Sequence, residues 1–348
     1  MSRTRPLVSV IIPTHNRRDL LEETVGSVFR QTGIAWELIV VDDASEDDTM
    51  DYVESLTDGR VRGMRLDQNV GQSAARQTGT TLSTAEAIMF LDDDDLLRPK
   101  ALARLHAALV RHPHAAAAVG ANIEFDARGH RRRVRHPHRR STRTVWRELL
   151  WGWSATPSRV LVRAQRLEAS GGWDATIATA HDTELWLRMS LLGPFAFEPA
   201  AVVDKRAHPD QSRPVDTPTI QREFRQKFID SLDDAGRAEA ATLMRAREHS
   251  HKGEKLYLQG DMAGARREFV AAAKAAPSLL RSPLTRSYLT LDIGKATAAF
   301  AAHRLVGPST TAALRKRAKA IAYGLKRDPG GDRKMKVRRP LPPPDERK

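Results

Sequence analysis

The chain has 348 residues, 41% of them hydrophobic, and no cysteine; it is long enough for two or three domains, and disulfide and thiolate chemistry are excluded. No apolar run approaches the roughly 18 residues of a membrane span, and Met1–Arg5 leads directly into a strand-like pattern without a cleavable apolar leader, so a cytoplasmic location is expected. The net charge of +14 is uneven, with 29 basic and 29 acidic residues up to position 219 and 28 basic against 14 acidic beyond it, which describes a basic appendage on a neutral body, suited to anionic lipid or another polyanion.

In chain order, Leu7 to Ile12 is a β-branched run closed by Pro13, which cannot donate a ladder hydrogen bond. After THNRRD, apolar positions from Leu20 to Phe29 recur at helical spacing. Trp36 to Val41 is a second buried strand that runs into Asp42, Asp43, Ala44 and Ser45. Tyr52, Val53 and Leu56 predict a short helix, and Val61 to Leu66 a third strand. Asn69 to Gly79 reads as a glycine-bearing turn opening a helix. The apolar run beginning at Ala87 is a fourth strand, and it stops at four aspartates, Asp92 to Asp95. Strands and helices alternating at this spacing predict an α/β domain with a mostly parallel sheet covered by helices. In such sheets ligands bind beyond the carboxyl ends of the strands, and three of the four strands end in polar clusters.

Adjacent carboxylates repel and raise one another's pKa, which a hard divalent cation relieves. The plainer reading of the run is a solvated strand-to-helix turn in which Asp95 caps the helix near Pro99.

VSVIIPTHNR, VVDDASEDDT, NVGQSAARQTG and FLDDDDLLRP, in that order and spacing, resemble the amino-terminal half of the family 2 glycosyltransferases, and GGWDATIATAHDTELWLRM at 171–189 resembles their acceptor-side motif. The likeness covers roughly residues 7–213. It implies the GT-A fold, a mixed, mostly parallel Rossmann-like sheet flanked by helices, and an inverting transfer of a sugar from a UDP-, GDP- or dTDP-linked donor to a glycan or lipid-linked acceptor in surface-glycan, capsule or cell-wall synthesis. It implies that Pro13, Thr14, Asn16, Asp43, Arg76, Asp92 and Asp93 contact the donor nucleotide. Asp94, last of the Asp92–Asp94 triplet, is the implied ligand of Mn²⁺ or Mg²⁺, with His208 as a further metal or diphosphate position. Asp182 falls where the family has its general base, deprotonating the acceptor hydroxyl; read without the resemblance, it caps a helix. His181 stands where the family usually has glutamate. A nucleotidyltransferase is the nearest enzymatic alternative, although PTHNRRD lacks the glycine-rich phosphate loop expected after its first strand. A non-catalytic scaffold using the helical region is the other.

Arg131 to Arg143 carries seven arginines and no acid, after a turn at Asp126–Gly129. It reads as a hairpin, either flanking the acceptor cleft or simply solvated. Domain limits are expected at 1–215 for the sheet domain and 216–327 for a helical region, with a basic, proline-rich, disordered tail over 328–348. Phe224, Phe228, Leu232 and Leu243 are its predicted core. Gly253, Leu256, Gly260, Ala265, Phe269, Ala272 and Pro277 match one tetratricopeptide-like hairpin near 246–279, without a second copy to stack on. A basic helix at 309–327 is open to peripheral contact with an anionic membrane at the inner face or to docking on the protein's own helices. No nucleic acid partner is expected.

Overall fold

The computed structural model describes residues 5–126, 131–135, 145–177, 179–207 and 217–276. His208, Pro277, the basic stretch at 309–327 and the proline-rich tail lie outside the described residues. The first strands follow the alternation of their sequence. In β1 (Val8–Thr14), Val8, Val10 and Ile12 point to one side of the sheet and Ile11 to the other, each fully buried. Flanking β1 are β2 (Trp36–Asp42) and β4 (Ala87–Phe90), both parallel to it, and β3 (Val61–Arg65) extends the sheet beside β2. The register pairs Thr14 with Asp42 and Ile11 with Phe90. The polar clusters after β1, β2 and β4 therefore leave the sheet on the same edge.

Beyond β4 the sheet is mixed. β8 (Val160–Arg163) runs antiparallel to both β4 and β6 (Ala117–Asp126), β9 (Phe195–Ala207) lies parallel to β6, and the two-residue β5 (Leu96–Leu97) pairs antiparallel with β9. β7 (Arg131–Arg135) pairs antiparallel with β6, so the arginine-rich stretch begins as the expected hairpin. The strand order is β3-β2-β1-β4-β8-β6-β9-β5, with β7 off that path. One face is covered by α1 (Arg18–Phe29) and α4 (Ala101–Arg111), whose Leu21, Val25, Leu102, Leu105 and Leu109 pack on Val10, Leu38 and Met89. Across the sheet lie α3 (Gln72–Leu82), α5 (Val145–Trp151) and α7 (His181–Leu192). The short α2 (Thr49–Ser55) and α6 (Ala164–Ala169) complete the set.

The helices after the sheet share its core. Phe224 and Phe228 on α8 (Thr217–Asp230), Leu232, and Leu243 and Ala246 on α9 (Asp234–Gln259) are buried in the same cluster as Trp146, Leu149 and Leu150 of α5. Trp146 meets Phe228 with ring centroids 6.3 Å apart. α9 ends at Gly260 in the left-handed conformation, and α10 (Met262–Ala275) folds back along it. Gly253 permits that approach, since a Cβ there would lie 2.8 Å from the Phe269 ring. The hairpin's first helix begins at Asp234 rather than near 246.

Two local expectations are corrected. The aspartate run does not end in a helix cap: α4 begins after Lys100 with no side-chain cap, and the fully buried Asp95 instead accepts the Arg206 N–H at 3.0 Å from β9. Asp182 is likewise not the cap of α7, whose preceding residue is Ala180 at φ 55° with no side-chain capping bond.

Gly79 fixes how closely α3 approaches the sheet, because a Cβ there would lie 2.4 Å from Ile11 Cγ2. Helix propensity alone predicts that Gly79→Ala adds roughly 1 kcal/mol of stability. The overpacking against a fully buried isoleucine outweighs this, and denaturant unfolding of Gly79→Ala is expected to show a loss of about 1–3 kcal/mol.

Candidate active site

The exit of β1 and the loop after β2 form a cleft of about 200 Å³ lined by Pro13, Thr14, Arg17, Asp43, Gly71, Asp93 and their neighbours. Its shape is held by carboxylates. Asp43 accepts the backbone N–H groups of Val70 and Gly71 at 2.8 and 2.9 Å, which pins the glycine turn ahead of α3. Asp42, fully buried, accepts the Ser45 N–H at 3.1 Å. Asn16, at φ 53°, donates its backbone N–H to Ser45 Oγ and accepts the Glu46 N–H at 2.7 Å. Asn16, Ala44 and Ala180 all sit at positive φ immediately beside the residues singled out from sequence. Backbone strain of this sort clusters where function requires a fixed geometry.

The four aspartates have four different surroundings. Asp92 receives a 2.7 Å hydrogen bond from Arg76 Nη2 and has Lys205 Nζ 4.0 Å away; burial would raise its pKa, but these two cations hold it below the ordinary value. Asp93 accepts from Thr14 Oγ1 at 2.9 Å and from Arg17 Nη1 at 3.1 Å. Burial nonetheless pushes Asp93 up to about 6, Arg17 opposing and Asp94 adding. Asp94, 7% exposed, lies 3.2 Å from the same Arg17 nitrogen. Asp95 is raised to about 7, by burial first and then by its neighbours Asp92 and Asp94 against the opposing pull of Lys205 at 3.8 Å.

Arg76 joins this cluster to the second half of the site. It is 1% exposed, its guanidinium carbon stands 4.8 Å from the Trp173 ring centroid, and its Nη1 donates to His181 Nε2 at 2.9 Å. It does not line the 200 Å³ cleft. Trp173 packs edge-on against Phe90, His181 and Trp186 at centroid distances of 5.0, 5.6 and 6.2 Å. An aromatic column thus runs from the end of β4 to the start of α7. Arg188 steadies the approach to it, pairing with Glu184 through two 2.6 Å bonds and donating to the carbonyls of Ser170 and Gly172.

Asp182, in the first turn of α7, accepts the Thr183 N–H at 2.6 Å and has Ser154 Oγ 3.5 Å away. Burial raises its pKa, with the Thr183 amide and Arg76 opposing, which makes its carboxylate a stronger base than a solvated one. The structure thus brings Pro13, Thr14, Asp43 and Asp93 around one cleft, places Asp94 on the same Arg17, and links Asp92 through Arg76 and His181 to the helix that carries Asp182.

Three participants were missed from sequence. Arg17 lay inside THNRRD, and its role appears only when β1 and β4 are adjacent. Lys205 gave no sequence signal, since it reaches Asp92 and Asp95 from β9 more than a hundred residues away; burial lowers its pKa, but Asp95 and Asp92 outweigh this and raise it. Ser154 likewise carries no motif.

Comparison with known proteins finds likeness in sequence and in fold. Residues 9–167 match the model for glycosyl transferase family 2. TarP of Staphylococcus aureus, a poly(ribitol-phosphate) beta-N-acetylglucosaminyltransferase, is 42% identical over 104 residues, which are 28% of this chain and 32% of that protein. TuaG of Bacillus subtilis, named for teichuronic acid biosynthesis, is 40% identical over 97 residues, 27% of this chain and 38% of that protein. The chain therefore spans about a third of the length of these curated relatives. Over most of its length it superposes on the crystal structure of S. aureus TarS 1-349 in complex with UDP-GlcNAc, with a TM-score of 0.59 and 18% identity, covering 86% of this chain and 92% of that one.

His181 supplies a test. Burial, and secondarily the Arg76 charge, lower its pKa from 6.5 to about 4. The unfolded chain binds this proton below pH 6.5 and the folded protein only near pH 4, so stability falls as pH falls through that window. His181→Gln keeps a hydrogen-bond acceptor for Arg76, and melting temperatures from pH 7 to pH 4 are expected to decline less steeply than in the wild type. The chain is thus similar to glycosyl transferase family 2 over residues 9–167, and its sheet has the fold of the TarS structure.

Proposed function

We propose that the protein is an inverting, metal-dependent glycosyltransferase that moves a sugar from a nucleoside diphosphate donor to a hydroxyl of a glycan or lipid-linked acceptor. The observation that carries this is the pairing of a carboxylate-lined cleft at the strand exits with a basic, half-buried Asp182 linked to it through Arg76. The TarS structures are titled as complexes with UDP-GlcNAc and with UDP, which makes a UDP-sugar the first donor to test.

The acidic cluster fits a hard divalent cation. Its donors are oxygens only, and Asp93 and Asp94 lie against the same Arg17 nitrogen, at 3.1 and 3.2 Å. Among the described residues no three acidic or histidine side chains form a closed cage, and Mg²⁺ or Mn²⁺ is commonly held by one or two carboxylates plus substrate phosphate. Asp94, with Asp92 as helper, would hold the ion, which when bound offsets the charge developing on the leaving diphosphate. Asp43 and Thr14 position the nucleotide. Arg17 and Lys205 keep two fixed positive charges beside the diphosphate path. Asp182 takes the proton from the acceptor hydroxyl, whose oxygen attacks the anomeric carbon on the face opposite the diphosphate. The C–O bond to the diphosphate breaks as the new glycosidic bond forms, so configuration inverts.

Thermal shift with UDP, GDP and dTDP, each with Mn²⁺, is expected to show stabilisation by at least one nucleotide, since a ligand that binds only the folded state raises stability. Asp94→Ala should remove the Mn²⁺-dependent part. Asp182→Asn is expected to lower kcat by roughly 100- to 10,000-fold while leaving that nucleotide shift intact, the range typical of a lost general base. Near-wild-type turnover of Asp182→Asn would sink its assignment.

A further inference from the structure

Away from the donor cleft, Arg225 and Arg247 are near enough for the charge of Arg247 to act on Arg225, and Glu254 is the carboxylate that acts on Arg247. Arg225 on α8 is 5% exposed. Its Nη1 donates to the carbonyl and the side-chain oxygen of Gln221, one turn back on its own helix, at 3.2 and 2.8 Å, while its Nε is buried with no partner. Arg247 on α9 donates from Nε to the Trp151 carbonyl at 3.1 Å. Its Nε and Nη2 would lie 3.8 and 3.9 Å from a Cβ at Gly152, ordinary contact distance, and the Gly152 N–H already donates to the Glu148 and Leu149 carbonyls.

Among the described residues neither arginine makes an ion pair. Burial and the Arg247 charge together press Arg225 down to about 10. Burial lowers Arg247 as well, opposed by Glu254, and His251, one turn on, is lowered by burial and then by both arginines. Contact of Arg225 with the Phe224 ring, 5.3 Å from its centroid, compensates in part. Like charges withdrawn from water are unfavourable unless an anion joins them, and the forked donors of arginine match phosphate oxygens.

The position of the pair relates it to the acceptor side. The Trp151 carbonyl held by Arg247 is three residues from Ser154, whose Oγ lies 3.5 Å from Asp182, and three residues reach at most about 10 Å. We propose that Arg225 and Arg247 form a subsite for a phosphate group carried by the acceptor. Phosphate binding itself is independent of the transferase reading; its assignment to the acceptor rests on it.

The test uses the full chain, first with inorganic phosphate against chloride at matched ionic strength and without metal or nucleotide. Phosphate is expected to raise the melting temperature of the wild type, and Arg247→Gln to weaken its affinity about tenfold or more, as loss of one charge-assisted hydrogen bond implies. Arg225→Gln should do the same, and the UDP–Mn²⁺ shift checks that each variant is folded. No phosphate shift in the wild type, or an unchanged one in folded Arg247→Gln, overturns the subsite. Phosphate binding without any nucleotide binding would instead overturn the transferase reading. Competition by sn-glycerol 3-phosphate or by farnesyl diphosphate distinguishes a polyol-phosphate from a polyprenyl-diphosphate source, and competition by neither overturns the acceptor assignment.

Discussion

Arg76 is the constraint on which the two halves of the site depend. A guanidinium that is 1% exposed needs partners for its charge, and its two terminal nitrogens are met by Asp92, His181 and Gln72, with the Trp173 ring beside it. Each partner comes from a different segment: the end of β4, the start of α7, the same helix α3, and the loop before α7. If any one moved, a charge would be left buried without its partner, at a cost of several kcal/mol. The strand that delivers the aspartates and the helix that delivers Asp182 are thereby fixed to each other through Arg76. The histidine at 181 suits this arrangement, since a neutral ring accepts from Arg76 and leaves Asp92 as the guanidinium's carboxylate partner.

Much of the amino-terminal half was legible because its signals are local. Short continuous apolar runs gave β1, β2 and β4 within two residues, and the ends of those runs coincide with Thr14, Asp42 and the aspartates. Register then follows from parallel pairing of neighbours, so the convergence of the three strand exits is already implicit in the pattern. Phe224, Phe228, Leu232 and Leu243 were legible as core because helical periodicity survives whatever the helix packs on.

What was not legible depends on distant pairing. Asp95 looked like a helix cap because Pro99 and an apolar helix follow it. Its real partner, the Arg206 N–H, is supplied by a strand 111 residues away. Lys205 arrives by the same strand. Arg76 carried a motif, yet nothing in NVGQSAARQTG shows that its guanidinium turns inward to Asp92. The hairpin of α9 and α10 was visible in its small residues, but not that its first helix runs unbroken from Asp234 through Leu243, which was read separately as core.

The sharing of one core between α5 and the later helices has a bearing on how the chain can be divided or recombined. Trp146, Leu149 and Leu150 share a core cluster with residues of α8 and α9, and the backbone running on from them through Trp151 reaches Ser154, beside Asp182 of α7. The block that can be exchanged intact is therefore not the family segment of residues 9–167. Grafting that segment onto foreign helices would leave an apolar face seeking cover and let the loop beside Asp182 drift.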